Sequence, residues 1–229
     1  MKTHRSIWLG IVLALAVVAP ASAQVFTNGP GLGLAVPDNL YTGGPPNGTG
    51  GMLCNTIAVP SGGGGGDFVN DVTVQVRLTH TWVGDLTIKL VGPTSIVTTL
   101  VSRPGVIETA DDGTDTAGVG DSSNLLAANP LTYEQVAVPE SETMGSVPNL
   151  STTQTICVDL GSPCNYNPNR GAALTTSEDL SAAYDGTTKV GNWQLCIGDS
   201  AGQDLGTLDG WTLTVTSVPV ELESFTVEG

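Results

Sequence analysis

Apolar and polar residues alternate with a period of two along several stretches of this 229-residue chain. Val72, Val74, Val76 and Leu78 alternate with Thr73, Gln75, Arg77 and Thr79. Leu86, Ile88 and Leu90 follow the same rule, as do Trp193, Leu195 and Ile197. Trp211, Leu213 and Val215 alternate with Thr212, Thr214 and Thr216. Side chains along a strand point to opposite faces in turn, so each stretch predicts a strand with one face buried. No stretch has the spacing of a long amphipathic helix. "SEDLSAAYDG" predicts one short helical turn capped by Ser177. The class is therefore all-β, and two packed sheets bury these faces most economically.

Between the strands the chain reads as loops. Residues 24–50 are rich in Gly, Pro, Asn and Thr and predict an irregular arm. "SGGGGG", residues 61–66, is too permissive to hold one conformation. It also lacks the Gly-Lys-Ser/Thr ending of a phosphate-binding loop. The middle, roughly 103–170, is long and polar. Loops of that length in a compact domain are often functional. No internal repeat or second domain is visible.

Composition narrows the setting. Lys2 and Arg5, an apolar run from Ile7 to Val18 and then Ala21-Ser22-Ala23 have the form of a secretory leader, too short for a membrane anchor, with cleavage expected after Ala23. About 206 residues remain, enough for one large β domain. No later run is long and apolar enough to span a bilayer, so a secreted, extracellular or cell-surface protein is expected. The formal charge of −15 becomes −17 without Lys2 and Arg5. With no basic patch, nucleic acid and anionic membranes are excluded as partners. Cations, a basic protein partner or a solvated surface remain. Four cysteines in a secreted chain predict disulfides, with three pairings open. "CVDLGSPC" contains Gly and Pro and can close on itself, which favours Cys157–Cys164 and leaves Cys54–Cys196 to staple an early strand to a late one. The spacing matches no zinc site.

Two longer stretches are distinctive together. The first is "VTVQVRLTHTWVGDLTIKLVGPTSIVTTLVSRPG", Val72 to Gly105. The second is "LSAAYDG" followed by "GNWQLCIGDSAGQDLGTLDGWTLTV", Gly191 to Val215. These resemble the two halves of the P domain, or Homo B domain, which follows the subtilisin-like catalytic domain of kexin- and furin-type proprotein convertases. "GLAVPDN" at 33–39 resembles the opening of its bacterial form. The resemblance implies a jelly-roll-like β-sandwich of galactose-binding-like architecture over residues 51–217. It implies motif roles for His80, Gly84, Asp85, Trp193, Asp199, Asp204 and Trp211. In convertases the domain is an accessory that stabilises the protease and modulates its dependence on pH and calcium. It holds none of the catalytic residues, and no catalytic domain is visible in this chain, so a non-enzymatic protein is expected.

Candidate chemistry is sparse. His80 lies five residues before Asp85, and the only other histidine, His4, sits in the leader. His80 shares the parity of the inward residues of its strand, and Asp85 is expected to accept hydrogen bonds at the turn or from His80. A catalytic triad needs an oriented base and a nucleophile within reach, and no serine sits in a Gly-x-Ser-x-Gly elbow. A structural role for His80 is the better reading. Trp193 and Trp211 point inward by parity, which leaves Trp82 as the one candidate platform for a sugar. Asp111, Asp112, Asp115 and Asp121 cluster in one loop whose oxygens suit calcium, although the spacing is not that of an EF-hand. No other cofactor is expected. Asp199, Asp204 and Asp209 are expected to fix loops through backbone hydrogen bonds. Paired carboxylates for glycoside hydrolysis need a cleft, and nothing in the sequence argues for one.

The expected function is extracellular interaction or structural assembly with a protein partner or with further copies. The alternative is an accessory to a separately encoded subtilisin-like protease. The last segment, 218–229, alternates Val218, Val220 and Leu222, then shifts to Phe225 and Val227 as a bulge would produce. It predicts a strand or linker that adds to its own sandwich, or to a neighbour's sheet edge to build a filament.

Overall fold

The computed structural model describes residues 21–43, 48–63, 66–106, 120–146, 149–169 and 179–217. Residues 1–20, most of the expected leader, and the final segment 218–229 lie outside them.

Ten strands and one short helix follow in order: β1 (Ser22–Asn28), β2 (Leu34–Val36), β3 (Leu53–Val59), β4 (Val69–His80), β5 (Leu86–Val91), β6 (Val97–Ser102), β7 (Leu131–Tyr133), β8 (Asn165–Tyr166), α1 (Leu180–Tyr184), β9 (Gly191–Asp199) and β10 (Gly206–Ser217). They form two sheets. One runs β1-β10-β4-β7-β8, with β2 also on β10; the other runs β3-β9-β5-β6. Every pairing is antiparallel except β7 with β8. The molecule is an all-β sandwich, as the alternation predicts.

The core lies between the sheets. β4 contributes Val72, Val74, Val76 and Leu78; β5 contributes Leu86, Ile88 and Leu90; β9 contributes Trp193, Leu195 and Ile197. In β10 the partners shift register between Leu208 and Gly210. The extra residue, Asp209, resets the parity, so both Leu208 and Trp211 face inward although they are three apart. Trp193 and Trp211 are both buried, and each indole N–H has an acceptor: the Lys189 carbonyl at 2.8 Å and Asn55 Oδ1 at 2.8 Å. An indole can fill a core without penalty when its N–H is satisfied in this way.

Several expectations need correction. Residues 24–50 are not irregular throughout. β1 pairs with β10 from Ser22↔Ser217 to Asn28↔Trp211, and β2 continues along the same edge at Gly206–Leu208. A twelve-residue β10 offers more edge than one short strand can cover. Cleavage after Ala23 would leave five of the seven β1 pairs, Gln24 to Asn28. β5 is buried on both faces rather than one. Thr87 Oγ1 meets Ser102 Oγ at 3.2 Å, and Lys89 Nζ donates to the Gly48 carbonyl at 3.2 Å while lying over the Tyr41 ring. Tyr41 and Gly48 thus lie over the outer face of β5. The short helix is present, but its cap is Asp179, whose carboxylate accepts from the Ala182 N–H at 2.8 Å. Ser177 lies outside the described residues. The middle of the chain is more ordered than its polarity suggests. Leu131 and Tyr133 are buried on β7, which pairs with β4.

Both disulfides take the favoured pairing. Cys54 and Cys196 face each other across β3 and β9, and Cys157 joins Cys164.

Candidate functional site

The "HTWVGDL" box closes β4 and opens β5. His80 is the last residue of β4 and is fully buried. Its backbone pairs with Gly206 of β10, and a Cβ on Gly206 would stand 2.4 Å from His80 Cδ2. Only glycine lets the imidazole lie flat at that position. The ring's two nitrogens are both engaged. The Trp82 N–H donates to Nδ1 at 3.1 Å, so Nδ1 carries no proton. Nε2 then carries the proton and donates to Asp199 Oδ2 at 3.1 Å. Asp199, also fully buried, accepts from the Ala201 N–H with its other oxygen at 3.0 Å.

The histidine's carboxylate partner is therefore Asp199, 119 residues away, and not Asp85. Neither ring nitrogen is left for Asp85. Asp85 ends a single 3-10 turn, Val83–Asp85, and its carbonyl accepts from the Ser200 N–H at 3.0 Å. The Asp85 carboxyl lies beside the pair, and burial, reinforced by the Asp199 charge, pushes its pKa up to about 6. Asp204 accepts from Thr81 Oγ1 at 2.8 Å, and Asp209 accepts from the Gly31 N–H at 3.1 Å. The structure thus brings His80, Asp85 and Asp199 together at one end of the sandwich, with Asp204 just outside. Trp193 and Trp211 lie in the core. Trp82 is half-buried, which makes it a poor flat platform for a sugar ring.

Asp121 occupies a second site, tied to the same turn. Its carbonyl accepts from the Gly84 N–H at 2.9 Å, and its N–H donates to the Pro104 carbonyl at 2.8 Å. A Cβ on Gly84 would stand 2.5 Å from the Asp121 nitrogen, which explains the glycine in the box. The Asp121 carboxyl sits against Gly105 and Gly145. Its Oδ2 is buried with no hydrogen-bond partner, and so is Oγ of neighbouring Ser123. Burial pushes its pKa up to about 6. Asp111, Asp112 and Asp115 lie outside the described residues. Among the described residues no three carboxylate, histidine or cysteine groups converge as a metal-ligating set.

Sequence reasoning missed Asp199 as the histidine's partner, because strand pairing across 119 residues has no local signal. It missed Gly206 for the same reason. The Asp-Gly-Trp stretch beside it was visible, but the ring that needs the space was not.

The geometry suits a structural joint: a neutral, doubly bonded imidazole, a buried carboxylate and glycines where other elements press close. No solvent-facing nitrogen remains on His80 to act as a base.

The family model of the proprotein convertase P-domain matches residues 69–128 and 154–215, more than half of the chain. The chain belongs to the proprotein convertase P-domain family. No curated protein matches it. Among solved structures it is similar to the serine protease of Aeromonas sobria. In the complex of that protease with its chaperone the identity is 16% and the TM-score 0.42, over 90% of this chain and 28% of that one. The protease in the other crystal structure gives 15% and 0.41, over 89% and 28%. The chain thus spans little more than a quarter of the length of those protease chains. Among the described residues no helix is long and apolar enough to cross a membrane.

Proposed function

We propose that this protein is a secreted, non-catalytic P-domain sandwich that acts by binding another protein or by structural assembly outside the cell. The observation that carries this reading is the state of His80. It is the single histidine of the matched region, it is fully buried, and both its nitrogens are bonded within the fold. The box that marks the family is spent on joining β4, β5, β9 and β10. Two disulfides support an oxidising compartment. The strongly acidic surface supports a basic or cation-bridged partner.

A second reading follows from the family itself: an accessory to a separately encoded subtilisin-like protease. The two readings differ in what accompanies the protein. Affinity isolation of the tagged protein from the extracellular fraction yields a serine protease in stoichiometric amount under the second reading. Under the first it yields a different protein or further copies of itself. An active-site serine probe leaves the purified protein unlabelled under both. Specific labelling that His80→Ala abolishes would overturn both.

Calcium belongs to this reading as a ligand of the acidic loop. The unpartnered Oδ2 of Asp121 supplies a buried anionic oxygen of the kind calcium takes. Calorimetric titration of chelator-treated protein tests it. Heat of binding and a calcium-dependent rise in melting temperature are expected; the absence of both removes calcium from the account.

A further inference from the structure

Among the described residues, one flank of the sandwich is bounded by two strand edges that pair with no further strand. β1 is the edge of one sheet and β3 the edge of the other. They meet at Asn28, whose Nδ2 donates to Asn55 Oδ1 at 2.8 Å and to the Thr56 carbonyl at 3.3 Å. That second bond shows which way β3 points. In an antiparallel pair a residue's N–H and C=O face the same side, and the side alternates along the strand. The Thr56 carbonyl faces away from β9, and the β3–β9 register is unbroken. Cys54, Thr56 and Ala58 therefore direct their backbone N–H and C=O groups to the open side. A shallow groove runs along this side, lined by Phe26, Asn28, Thr56, Ile57 and Ala58 at one end and by Gln24, Pro60 and Gly62 at the other. A row of backbone donors and acceptors, engaged among the described residues only at the Thr56 carbonyl, over partly apolar side chains is a template for one more strand.

The chain itself supplies a further segment from the mouth of this groove. β10 ends at Ser217, paired with Ser22 at the start of β1. Buried Lys189 ties the two strands there, donating to Gln24 Oε1 at 2.7 Å and to Ser217 Oγ at 3.3 Å. Gln24 in turn donates to the Gly62 carbonyl at 3.3 Å, in the loop that follows β3. The exit of β10 and the end of β3 are thus neighbours. Residues 218–229 follow, with Val218, Val220 and Leu222 on one parity and Glu221 and Glu223 on the other. At about 3.3 Å per residue they can reach about 40 Å, more than the seven residues of β3 require. A strand leaving Ser217 and running back along the flank lies antiparallel to β3.

We infer that residues 218–229 add as a strand to the free edge of β3 in their own molecule, apolar side toward Phe26 and Ile57 and Glu221 and Glu223 outward. The tether favours the molecule's own tail over a neighbour's, because a short linker holds it at an effective concentration in the millimolar range. Assembly through this edge then requires that the tail first be released. The inference concerns occupancy of the edge and stands apart from the identity of the extracellular partner, so either can fail without the other.

A labelled peptide, VPVELESFTVEG, tests it by fluorescence anisotropy against the full chain and against a chain ending at Ser217. The peptide is expected to bind the shortened chain, and at least about tenfold more weakly the full chain, whose tail competes. A peptide N-methylated at alternate residues is expected not to bind. Ala58→Pro in the shortened chain, which removes one edge N–H at an exposed position, is expected to weaken binding while the circular dichroism stays unchanged. Equal binding to both chains would show that the edge is open and would transfer the role to a neighbour's tail. No binding to the shortened chain, or binding that the N-methylated peptide retains, would overturn the strand addition. If Ala58→Pro unfolds the chain, the N-methylated peptide still decides.

Discussion

At the scale of single residues, the fold is held by a few buried polar groups whose partners come from distant strands. His80 and Asp199 are the clearest case. Removing one partner of a buried hydrogen bond leaves the other unsatisfied, which typically costs about 1–3 kcal/mol and more where that group is charged, as Asp199 is. His80→Ala is therefore expected to lower the melting temperature strongly, while Thr81→Ala, at the exposed Asp204 contact, is expected to change it little. Thermal denaturation of the two variants checks this; equal small effects would show that the joint is dispensable. Gly206→Ala would press a methyl group into the imidazole, and overpacking of this kind costs about 1–3 kcal/mol. Asp85 and Asp121 give the pH dependence. Each has a folded pKa raised from 3.8 to about 6, so the folded state holds these protons more tightly than the unfolded one. Their contribution favours folding most below pH 3.8 and declines as pH rises from about 4 to about 6. Asp85→Asn and Asp121→Asn are each expected to flatten that decline and to gain stability at pH 8, by less than the roughly 3 kcal/mol that a shift from 3.8 to about 6 gives for a fully buried group, because solvent screens both carboxyls. Melting curves of wild type and variants between pH 4 and pH 8 measure it. An unchanged slope in both variants would contradict the account.

At the scale of elements, the sequence made the inner strands legible and hid the outer ones. β4 and the Trp211–Val215 run of β10 carry residues buried on one parity and read directly from the alternation, while β9 is buried on both faces from Leu195 to Asp199. β5 alternates too, yet its polar residues Thr87 and Lys89 are buried because another segment lies over them. No pattern inside β5 can reveal that cover. β1, SAQVFTN, was hidden because its first residues read as the end of a leader and its alternation is short, with none of its residues fully buried. The pairing of His80 with Asp199 was out of reach for a related reason: two buried polar residues show no partner until the sheet order is known. The disulfides were legible because loop closure is a local property of "CVDLGSPC", and the other pair followed. Cys54–Cys196 links residues 142 apart across β3 and β9. A disulfide typically contributes about 2–4 kcal/mol by limiting the unfolded chain. Cys54→Ala with Cys196→Ala is expected to lose about that much in urea denaturation and to keep the β signature in circular dichroism. A variant as stable as wild type would show that the β3–β9 ladder needs no staple.

At the scale of the whole molecule, the distribution of chemistry argues for recognition rather than catalysis. The matched region places its histidine and two of its three tryptophans, Trp193 and Trp211, in the core, and uses Asp199, Asp204 and Asp209 for contacts within the fold. Among the described residues, what faces outward includes polar loops and exposed apolar side chains such as Val136, Val138 and Leu205, features through which a sandwich can meet another protein. The proposed function is thus a statement about company, and it is tested by what the protein is found with. The most direct measurement is the mass of the species that carries this protein in the native extracellular fraction, by native mass spectrometry with identification of its components. The account predicts a species heavier than the 23.3 kDa chain, containing a partner protein or further copies. A free monomer under all conditions, with or without calcium, would contradict it.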